Sequence, residues 1–418
     1  MVLRKLLGRS GWLSLIQIAD HALPIVTFPI LTRALGIEYY GDYAIIAGIC
    51  SYFALFTIAS AYVTGPKIVA EVRNDKQKLD LGVSHIIFFQ LATFVIVSLL
   101  FIPAFMLVPM LSKHPAVSIL VFLQLNVVGL APTWFFLGME RTKLLGVSQL
   151  LVRSAGAGAI LILVRTRSDL ITYAIINLAV ASTSLALLFA MLLRSGIRFS
   201  YPGLRMLRAS AYSNAGIMLS EFCMILYSGA GAVIVGALSG SASAGAFAFV
   251  DRILQAARGL FVPVYNSAFP VLCRYSADEP EKELKLRRIL LLLLLVTGVA
   301  LSCALFALAG DLALLFGGRE FANIETLLRL VWLVPLLSVC SSFFGLSSLV
   351  VFGFFTQFSQ VRIVGSLLGV ACLYAGTVLA GLDGVFVAVS LVEAISAIGF
   401  IAALIGKKSF LRAIGTRP

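Results

Sequence analysis

The sequence predicts an all-α, polytopic membrane protein with twelve transmembrane helices. Hydrophobic residues make up 60% of the 418-residue chain and charged residues only 12%, and the mean hydropathy is +1.03. The charged residues cluster in short gaps between apolar stretches of about 20 residues, which is the length a helix needs to cross the hydrocarbon core. Inside a bilayer the backbone must satisfy its hydrogen bonds within each segment, so these stretches are helices.

The predicted spans follow one another with little polar sequence between them. In order they are residues 12–31, 42–65, 81–106, 117–137, 145–164, 171–193, 212–238, 244–269, 289–309, 326–350, 361–380 and 385–405. The first stretch is too long for the apolar part of a signal peptide and lacks a small-residue cleavage site, so it is predicted to be an uncleaved helix.

The distribution of Lys and Arg predicts the orientation. With the N-terminus in the cytoplasm, 22 of the 32 basic residues fall in cytoplasmic segments and 5 in the outer gaps. Because positive residues stay preferentially on the cytoplasmic side, both termini are predicted to be cytoplasmic. The basic residues are interpreted as solvated loop residues beside anionic headgroups, Arg287 of the eighth gap among them. The net charge of +13 therefore does not indicate a nucleic-acid partner.

An internal repeat divides the chain into two halves. Five residues recur at a constant offset of 204, namely Gly36, Gly41, Tyr43, Ala44 and Pro66 at Gly240, Gly245, Phe247, Ala248 and Pro270. We therefore predict two six-helix lobes around a central cavity. Residues 1–198 form the N-terminal lobe (helices 1–6), 199–211 a cytoplasmic linker, and 212–418 the C-terminal lobe (helices 7–12). Parallel halves of this kind support alternating access.

Four short patterns occur in order along the chain. From the end of helix one into its turn they are Pro29, Thr32, Arg33, Leu35, Gly36, Tyr40 and Gly41; at the end of helix four Trp134, Gly138 and Glu140; at the end of helix eight Pro263, Phe269 and Pro270; and in the ninth gap the string LLFGGREF, followed by a helix with Leu328, Arg329 and Pro335. With the twelve-helix plan, they resemble the polysaccharide flippase family (Wzx-type lipid-linked oligosaccharide flippases) of the multidrug/oligosaccharidyl-lipid/polysaccharide exporter superfamily. Trp134 lies near the cytoplasmic interface, where it is predicted to anchor the chain in the membrane.

The resemblance implies the movement of an undecaprenyl-diphosphate-linked oligosaccharide across the bacterial inner membrane, from the cytoplasmic to the periplasmic leaflet. Such flippases serve the assembly of lipopolysaccharide O-antigen, capsule or exopolysaccharide. The implied partners are the lipid-linked oligosaccharide and membrane lipids, with other polysaccharide-assembly membrane proteins as further candidates. No cofactor is implied.

Charges within the spans are the candidate functional residues, because an ionisable side chain there is costly and usually faces the bundle interior. We predict that Arg153, Arg252 and Arg258 contact the diphosphate or sugar of the implied substrate, with Arg33 as a weaker candidate at the periplasmic end of helix one. The planar guanidinium group of arginine donates two parallel hydrogen bonds to phosphate oxygens and stays positively charged at physiological pH. Structural ion pairs or snorkelling are the alternative interpretation, which is favoured for Arg33.

Acidic residues within the spans are candidates for ion coupling. Asp20 in helix one, Glu221 in helix seven and Asp251 in helix eight could take up a proton in one state and release it in another. The alternative is that these carboxylates neutralise the arginines. Glu393 in helix twelve is a further acid within a span.

Other functions agree less well with the sequence. A cation-coupled multidrug exporter would need an acidic, apolar cavity, and a peptidoglycan-precursor flippase usually carries additional helices. A membrane-embedded polysaccharide polymerase would need a large periplasmic loop with catalytic residues, whereas all outer gaps here are short. The three histidines and six cysteines are dispersed and show no metal or redox spacing. We therefore predict no catalytic residues, no metal and no enzymatic activity.

Overall fold

The computed structural model describes residues 2–62, 64–203, 226, 227 and 229–416, and its side chains from Leu23 onward except residues 24, 59, 60, 62, 277 and 278. Every regular element in these ranges is helical, as predicted. The α-helices are α1 (Val2–Tyr62), α2 (Thr64–Val72), α3 (Lys76–Leu107), α4 (Pro109–Lys113), α5 (Pro115–Leu130), α6 (Thr133–Gly138), α7 (Thr142–Leu163), α8 (Leu170–Arg194), α9 (Gly229–Ser239), α10 (Ser241–Gly259), α11 (Val262–Asp278), α12 (Pro280–Ala307), α13 (Ala309–Gly317), α14 (Glu325–Leu330), α15 (Val334–Phe344), α16 (Phe355–Gly406) and α17 (Phe410–Ala413). Two 3-10 helices, Arg167–Asp169 and Arg319–Ile324, and a π-helix at Gly345–Val350 complete the set.

Two of these helices are long enough to cross a membrane twice. Helix α1 has 61 residues and α16 has 52, which correspond to about 90 Å and 78 Å, against a hydrocarbon core of about 30 Å. Non-helical backbone interrupts α1 at Gly36 and α16 at Ala380 and Gly381. Gly36 and Gly381 lie in predicted gaps, and Ala380 is the last residue of the predicted span 361–380, so each helix supplies two of the predicted spans.

The described helices account for most of the predicted spans. Seven are long and apolar enough to cross a membrane, or eight if the bent pair Arg319–Leu330 and Val334–Val350 is one span. With two crossings each in α1 and α16, they cover predicted spans one to six and nine to twelve. Helices α10 and α11 cover the eighth but are less apolar. The seventh lies mainly outside the described residues, and the total of twelve remains a prediction.

The exposed surface of the spans is apolar. Leu99 in α3 is 62% exposed, and Leu292 and Val296 in α12 are 63% and 66% exposed. Soluble proteins seldom leave such large contiguous apolar patches uncovered. Acyl chains covering these faces account for the pattern.

The chain divides into two compact units. Unit 1 comprises Met1–Leu35 and Asp42–Val233, and unit 2 comprises Gly36–Gly41 and Ile234–Pro418. The predicted linker at 199–211 falls largely on residues 204–225, which are outside the described part of the chain. The predicted lobe boundaries therefore remain a prediction.

Helix α6 supplies the largest side chains of the unit 1 core. Trp134 is 2% exposed, and its neighbours Phe135 and Phe136 are fully buried. A Cβ at Gly65 would lie 2.9 Å from the Trp134 ring, and one at Gly138 would lie 2.6 Å from the Cβ of Val69. The prediction that Trp134 anchors the chain in the membrane is wrong, because the indole instead fills the space that Gly65 leaves open.

Contacts between helix ends in unit 1 agree with the predicted alternation of sides. Arg73 pairs with Glu140 at 2.8 Å, which joins the second and fourth gaps, both predicted to be cytoplasmic. Asp42 pairs with Lys113 at 2.9 Å and with His114 at 2.8 Å, which joins the two outer gaps before and after helices two and three. Which side is cytoplasmic remains a prediction from the basic residues.

Buried polar side chains connect the helices of unit 1 within the spans. Thr57 donates a hydrogen bond to Asn126 Oδ1 at 2.8 Å. Gln149 on α7 and Ser184 on α8 exchange two hydrogen bonds, of 2.7 and 3.0 Å. Side chains of this kind hold helices together where no hydrophobic driving force between helices exists.

Replacing Gln149 with Leu is expected to lower the free energy of unfolding by roughly 0.6–1.7 kcal/mol, the range found for hydrogen bonds between membrane helices. Reversible denaturant unfolding in mixed micelles measures this loss. Ser184→Ala should lower the free energy of unfolding by a similar amount. The double variant should lose no more than either single variant, because each single change already removes the same two hydrogen bonds. Additive losses would contradict the pairing.

The repeat predicted from the sequence has the same backbone conformation at its two glycines in unit 2. Gly36 has φ 71° and ψ 173°, and Gly240 has φ 85° and ψ 174°. This region is essentially restricted to glycine. Both glycines directly precede a helical segment, so positions 36 and 240 form turns of the same backbone conformation.

These two helical segments cross closely in unit 2. A Cβ added at Gly41 would lie 1.8 Å from the carbonyl oxygen of Ser241, and one at Gly245 would lie 2.0 Å from that of Ile37. The offset of 204 relates Gly41 to Gly245 and also Ile37 to Ser241. The contact is therefore reciprocal, as a local two-fold relation between the repeats requires.

An ionic cluster at the predicted cytoplasmic end of unit 2 fixes the C-terminal residues. Arg287 Nε donates to Glu283 Oε1 at 2.9 Å, and Arg412 Nη2 donates to Glu283 Oε2 at 2.6 Å. Arg287 also donates to the carbonyl of Ser347 in the π-helix at 2.8 Å, and both guanidinium groups lie over the ring of Phe352, at 4.3 and 4.9 Å. The interpretation of Arg287 as a solvated loop residue is wrong, because its side chain is fully buried on its carboxylate partner.

Candidate functional site

Arg258 makes an ion pair inside the predicted spans of unit 2. Its Nη2 lies 2.7 Å from Glu393 Oε1 on α16, and its Nε donates to Ser338 Oγ on α15 at 3.1 Å. The arginine side chain is 32% exposed and the glutamate 16%. Three helices thus converge on one guanidinium that remains partly accessible.

The sequence of α10 places a polar face beside this pair. Asp251 and Arg258 are seven residues apart, which is about 20° from two full turns, so they lie on one side of the helix. Gln255 between them donates to Asp251 Oδ2 at 2.7 Å. Arg252 is half-buried, and its position lies about 100° from that of Asp251 around the helix axis. Asp251 and Arg258 therefore share the face on which Arg258 meets Glu393.

The remaining predicted site residues are distributed over both units. Arg153 is half-buried on α7 of unit 1, and Arg33 is exposed just before the interruption at Gly36. The side chain of Asp20, like Glu221, lies outside the described residues. The roles predicted for these residues remain predictions.

Two other basic residues of the spans have local partners. Arg329 pairs with Glu325 at 2.5 Å within α14, and the Arg362 guanidinium lies 5.5 Å from the centre of the Phe358 ring. The Arg329 guanidinium also lies 5.6 Å from the centre of the Phe306 ring on α12. Among the described residues, no group of three or more His, Cys, Asp or Glu side chains could hold a metal ion.

Two charged contacts were not predicted from the sequence. Asp42 is almost fully buried and accepts from Lys113 and His114, although the sequence shows it only as the first residue of a span. The sequence shows Glu393 as an acid within a span but does not indicate which residue it contacts. Its partner Arg258 is 135 positions away, a separation at which no local pattern indicates a pair.

Comparison with known proteins supports a transporter. A family model described as "Polysaccharide biosynthesis protein" matches residues 6–276. A protein of Escherichia coli (strain K12) named for O-antigen transport is 26% identical over 371 residues, covering 88% of this chain and 89% of its own. A protein of the same name from Shigella dysenteriae is 21% identical, with 87% and 90% covered.

Solved structures with the same fold are transporters and flippases. A multidrug resistance MATE family transporter of the MOP superfamily, in its inward-facing conformation, matches with a TM-score of 0.75 at 15% identity and covers 96% of this chain and 98% of its own. The lipid II flippase MurJ matches with a TM-score of 0.59 at 14% identity, with 96% and 90% covered. None of these four proteins is named as an enzyme, in agreement with the sequence-based prediction. Because the family model covers more than half of the chain, this protein belongs to the polysaccharide biosynthesis protein family, and its fold is that of MOP superfamily transporters.

Proposed function

We propose that the protein flips undecaprenyl-diphosphate-linked oligosaccharide units from the cytoplasmic to the periplasmic leaflet by alternating access. The unit serves the assembly of O-antigen, capsule or exopolysaccharide. The protein works in the bacterial inner membrane with both termini in the cytoplasm. Family membership and two relatives named for O-antigen transport support this proposal.

The observation that carries the proposal is the partly accessible guanidinium of Arg258 within the spans. A diphosphate loses its hydration when it enters a membrane protein, and this loss must be offset by positive groups and hydrogen-bond donors. Arg258 supplies five N–H donors and a charge that cannot be titrated away. Arg252 on the same helix and Arg153 in unit 1 are the further candidates.

The multidrug exporter and the peptidoglycan-precursor flippase share this fold, so the fold does not distinguish them. The intramembrane charges do favour one class of substrate. The predicted spans hold five arginines, at positions 153, 252, 258, 329 and 362, and four well-embedded acids, at positions 20, 221, 251 and 393. An excess of basic residues suits an anionic lipid rather than an organic cation. This balance supports the oligosaccharide flippase over the drug exporter.

Replacing Arg258 with Gln is expected to reduce transport roughly tenfold to 100-fold, because a hydrogen bond to a charged group contributes about 1.5–3 kcal/mol and each 1.4 kcal/mol is a factor of ten. The measurement follows lipid-linked oligosaccharide in cells that depend on the variant. Substrate should accumulate on the cytoplasmic leaflet, where an impermeant sugar-binding probe reaches it only in inverted vesicles.

The controls separate transport from folding. The double variant Arg258→Gln with Glu393→Gln removes both charges of the ion pair, so Glu393 is not left as an unpaired carboxylate and the protein should fold, yet it should still not transport. Arg329→Gln removes an arginine that pairs with Glu325 one turn away and lies over the Phe306 ring of α12, and it should leave transport unchanged. Wild-type transport by the double variant would refute a role for Arg258 and with it the proposed site.

A further inference from the structure

The carboxylate of Glu393 is the counter-ion of Arg258 within the spans of unit 2. Glu393 lies eight residues into the predicted span 385–405, about 12 Å from its outer end. Among the described residues, Arg258 is its ion-pair partner, at 2.7 Å. A carboxylate at this depth is costly unless it is paired or protonated.

Three acidic residues on the elements that pack around the pair have contacts of their own. Asp251 accepts from Gln255 and also interacts electrostatically with Arg258 and Arg252, Glu325 pairs with Arg329, and Glu320 accepts from the backbone N–H of Ile37 at 3.3 Å. Helix α15 and the π-helix carry no charged residue. Apart from the pair itself, the described charged residues on α10, α16 and the elements packed against them are Asp251, Arg252, Arg274, Arg319, Glu320, Glu325, Arg329, Arg362, Asp383 and Arg412.

We propose that Glu393 is a displaceable counter-ion, which occupies Arg258 in the empty transporter and accepts a proton when an anionic substrate takes its place. This inference rests on the proposed function. A diphosphate carries about two negative charges and more acceptor oxygens than a carboxylate, so it binds the guanidinium fork more strongly. Because Arg258 cannot give up its proton, the displaced Glu393 is neutralised instead by a proton from water.

The exchange is balanced in charge and in atoms. Substrate oxygens replace Glu393 Oε1 on the Arg258 guanidinium, and one proton from the aqueous phase binds to the released carboxylate. When the substrate leaves, the proton leaves and the ion pair forms again. Since the proton and the anion are bound together, an acidic periplasm does not drive the export of the anion through this site. The exchange instead prevents a lone carboxylate from remaining in the membrane.

Coupled proton uptake makes substrate affinity depend on pH with a defined sign. Where one proton is bound with each anion, the dissociation constant rises about tenfold for each unit of pH. The Glu393→Gln variant has no carboxylate at position 393 that could bind this proton. Its dissociation constant therefore lacks the rise of about tenfold per unit of pH that comes from Glu393. The variant should also bind the anion more tightly than the wild type at alkaline pH, because Glu393 no longer competes for Arg258.

The test uses the full chain in nanodiscs with farnesyl diphosphate as the probe. Titration calorimetry in buffers of different ionisation heat, at about pH 6, 7 and 8, gives the number of protons taken up with each bound probe. The wild type should take up about one proton more than Glu393→Gln, and the variant should bind roughly tenfold more tightly at the highest pH. Protonation of the probe itself is common to both proteins and cancels in the comparison.

Two further variants make the result specific. Glu325→Gln removes a carboxylate that also pairs with an arginine in unit 2, and it should behave as the wild type. Glu393→Asp keeps a carboxylate and should keep the proton uptake, and thermal unfolding of each variant checks that it is folded.

The possible outcomes separate the inference from the proposed function. If Arg258→Gln abolishes probe binding but Glu393→Gln takes up as many protons as the wild type, the counter-ion exchange is refuted and the proposed function stands. If the wild type does not bind the probe, or binds it equally well without Arg258, the proposed site fails and the inference fails with it.

Discussion

The Glu283→Ala variant is expected to lose about 3–5 kcal/mol of unfolding free energy, the cost of removing one partner from a buried ion pair. Both oxygens of the Glu283 carboxylate are in use, one by Arg287 and the other by Arg412. The Arg287 side chain is fully buried, and without Glu283 it would be left as an uncompensated charge. Denaturant unfolding of the purified protein in micelles measures the loss.

A matched variant tests whether burial causes the effect. Glu325 forms a pair with Arg329 at the same helical spacing, but these side chains are 39% and 47% exposed. Glu325→Ala should therefore cost no more than about 0.5 kcal/mol. A combined replacement of Glu283, Arg287 and Arg412 with Met should recover much of the stability, because apolar residues of similar volume remove the unpaired charges. Equal losses in Glu283→Ala and Glu325→Ala would show that the cluster does not stabilise unit 2.

The buried cluster also illustrates a limit of sequence-based prediction. Glu283 and Arg287 are one helical turn apart in a segment rich in charged residues, a pattern typical of a solvated helix face. Their burial depends on Arg412, which lies 129 positions after Glu283, and on Phe352, whose ring both guanidinium groups lie over. Contacts between residues so far apart in the sequence leave no periodic pattern. The sequence therefore indicated a solvated loop where the chain forms a buried ionic cluster.

Features that depend on periodicity or on backbone conformation were predictable. The apolar periodicity and the gaps indicated the helices, and the interruptions at Gly36 and Gly381 lie in predicted gaps. The repeat was visible because the shared turn at Gly36 and Gly240 requires a conformation essentially limited to glycine. Many helix positions accept different side chains. The backbone conformation of this turn accepts little besides glycine, so a glycine recurs in the sequence at both positions.

The candidate site was predictable in its residue types but not in its contacts. An arginine within a span indicates a functional residue because of its cost, and this reasoning selected Arg258. The same reasoning identified Glu393 as an acid within a span. Only the packing of α10 against α15 and α16 shows that Glu393 and Ser338 meet Arg258, and this packing depends on side-chain shapes along three helices.

The glycine crossing in unit 2 gives the last prediction. Gly41→Ala and Gly245→Ala are each expected to lower the free energy of unfolding by about 1–3 kcal/mol, as overpacking does. In both variants the new methyl group would lie within 2.0 Å of a carbonyl oxygen, so the two backbones must move apart. Thermal and denaturant unfolding of the purified protein measure the loss.

The reciprocal geometry makes the double variant informative. Once one alanine has separated the segments at 37–41 and 241–245, the second methyl group meets a wider gap. The double variant should therefore lose less than the sum of the two single losses, since neighbouring sites are coupled. Gly158→Ala is the matched control, because a Cβ on this α7 glycine would meet no atom within 4 Å, and alanine is the better helix former. It should leave stability unchanged or slightly raised, whereas fully additive losses at Gly41 and Gly245 would show that the two glycines do not share one crossing.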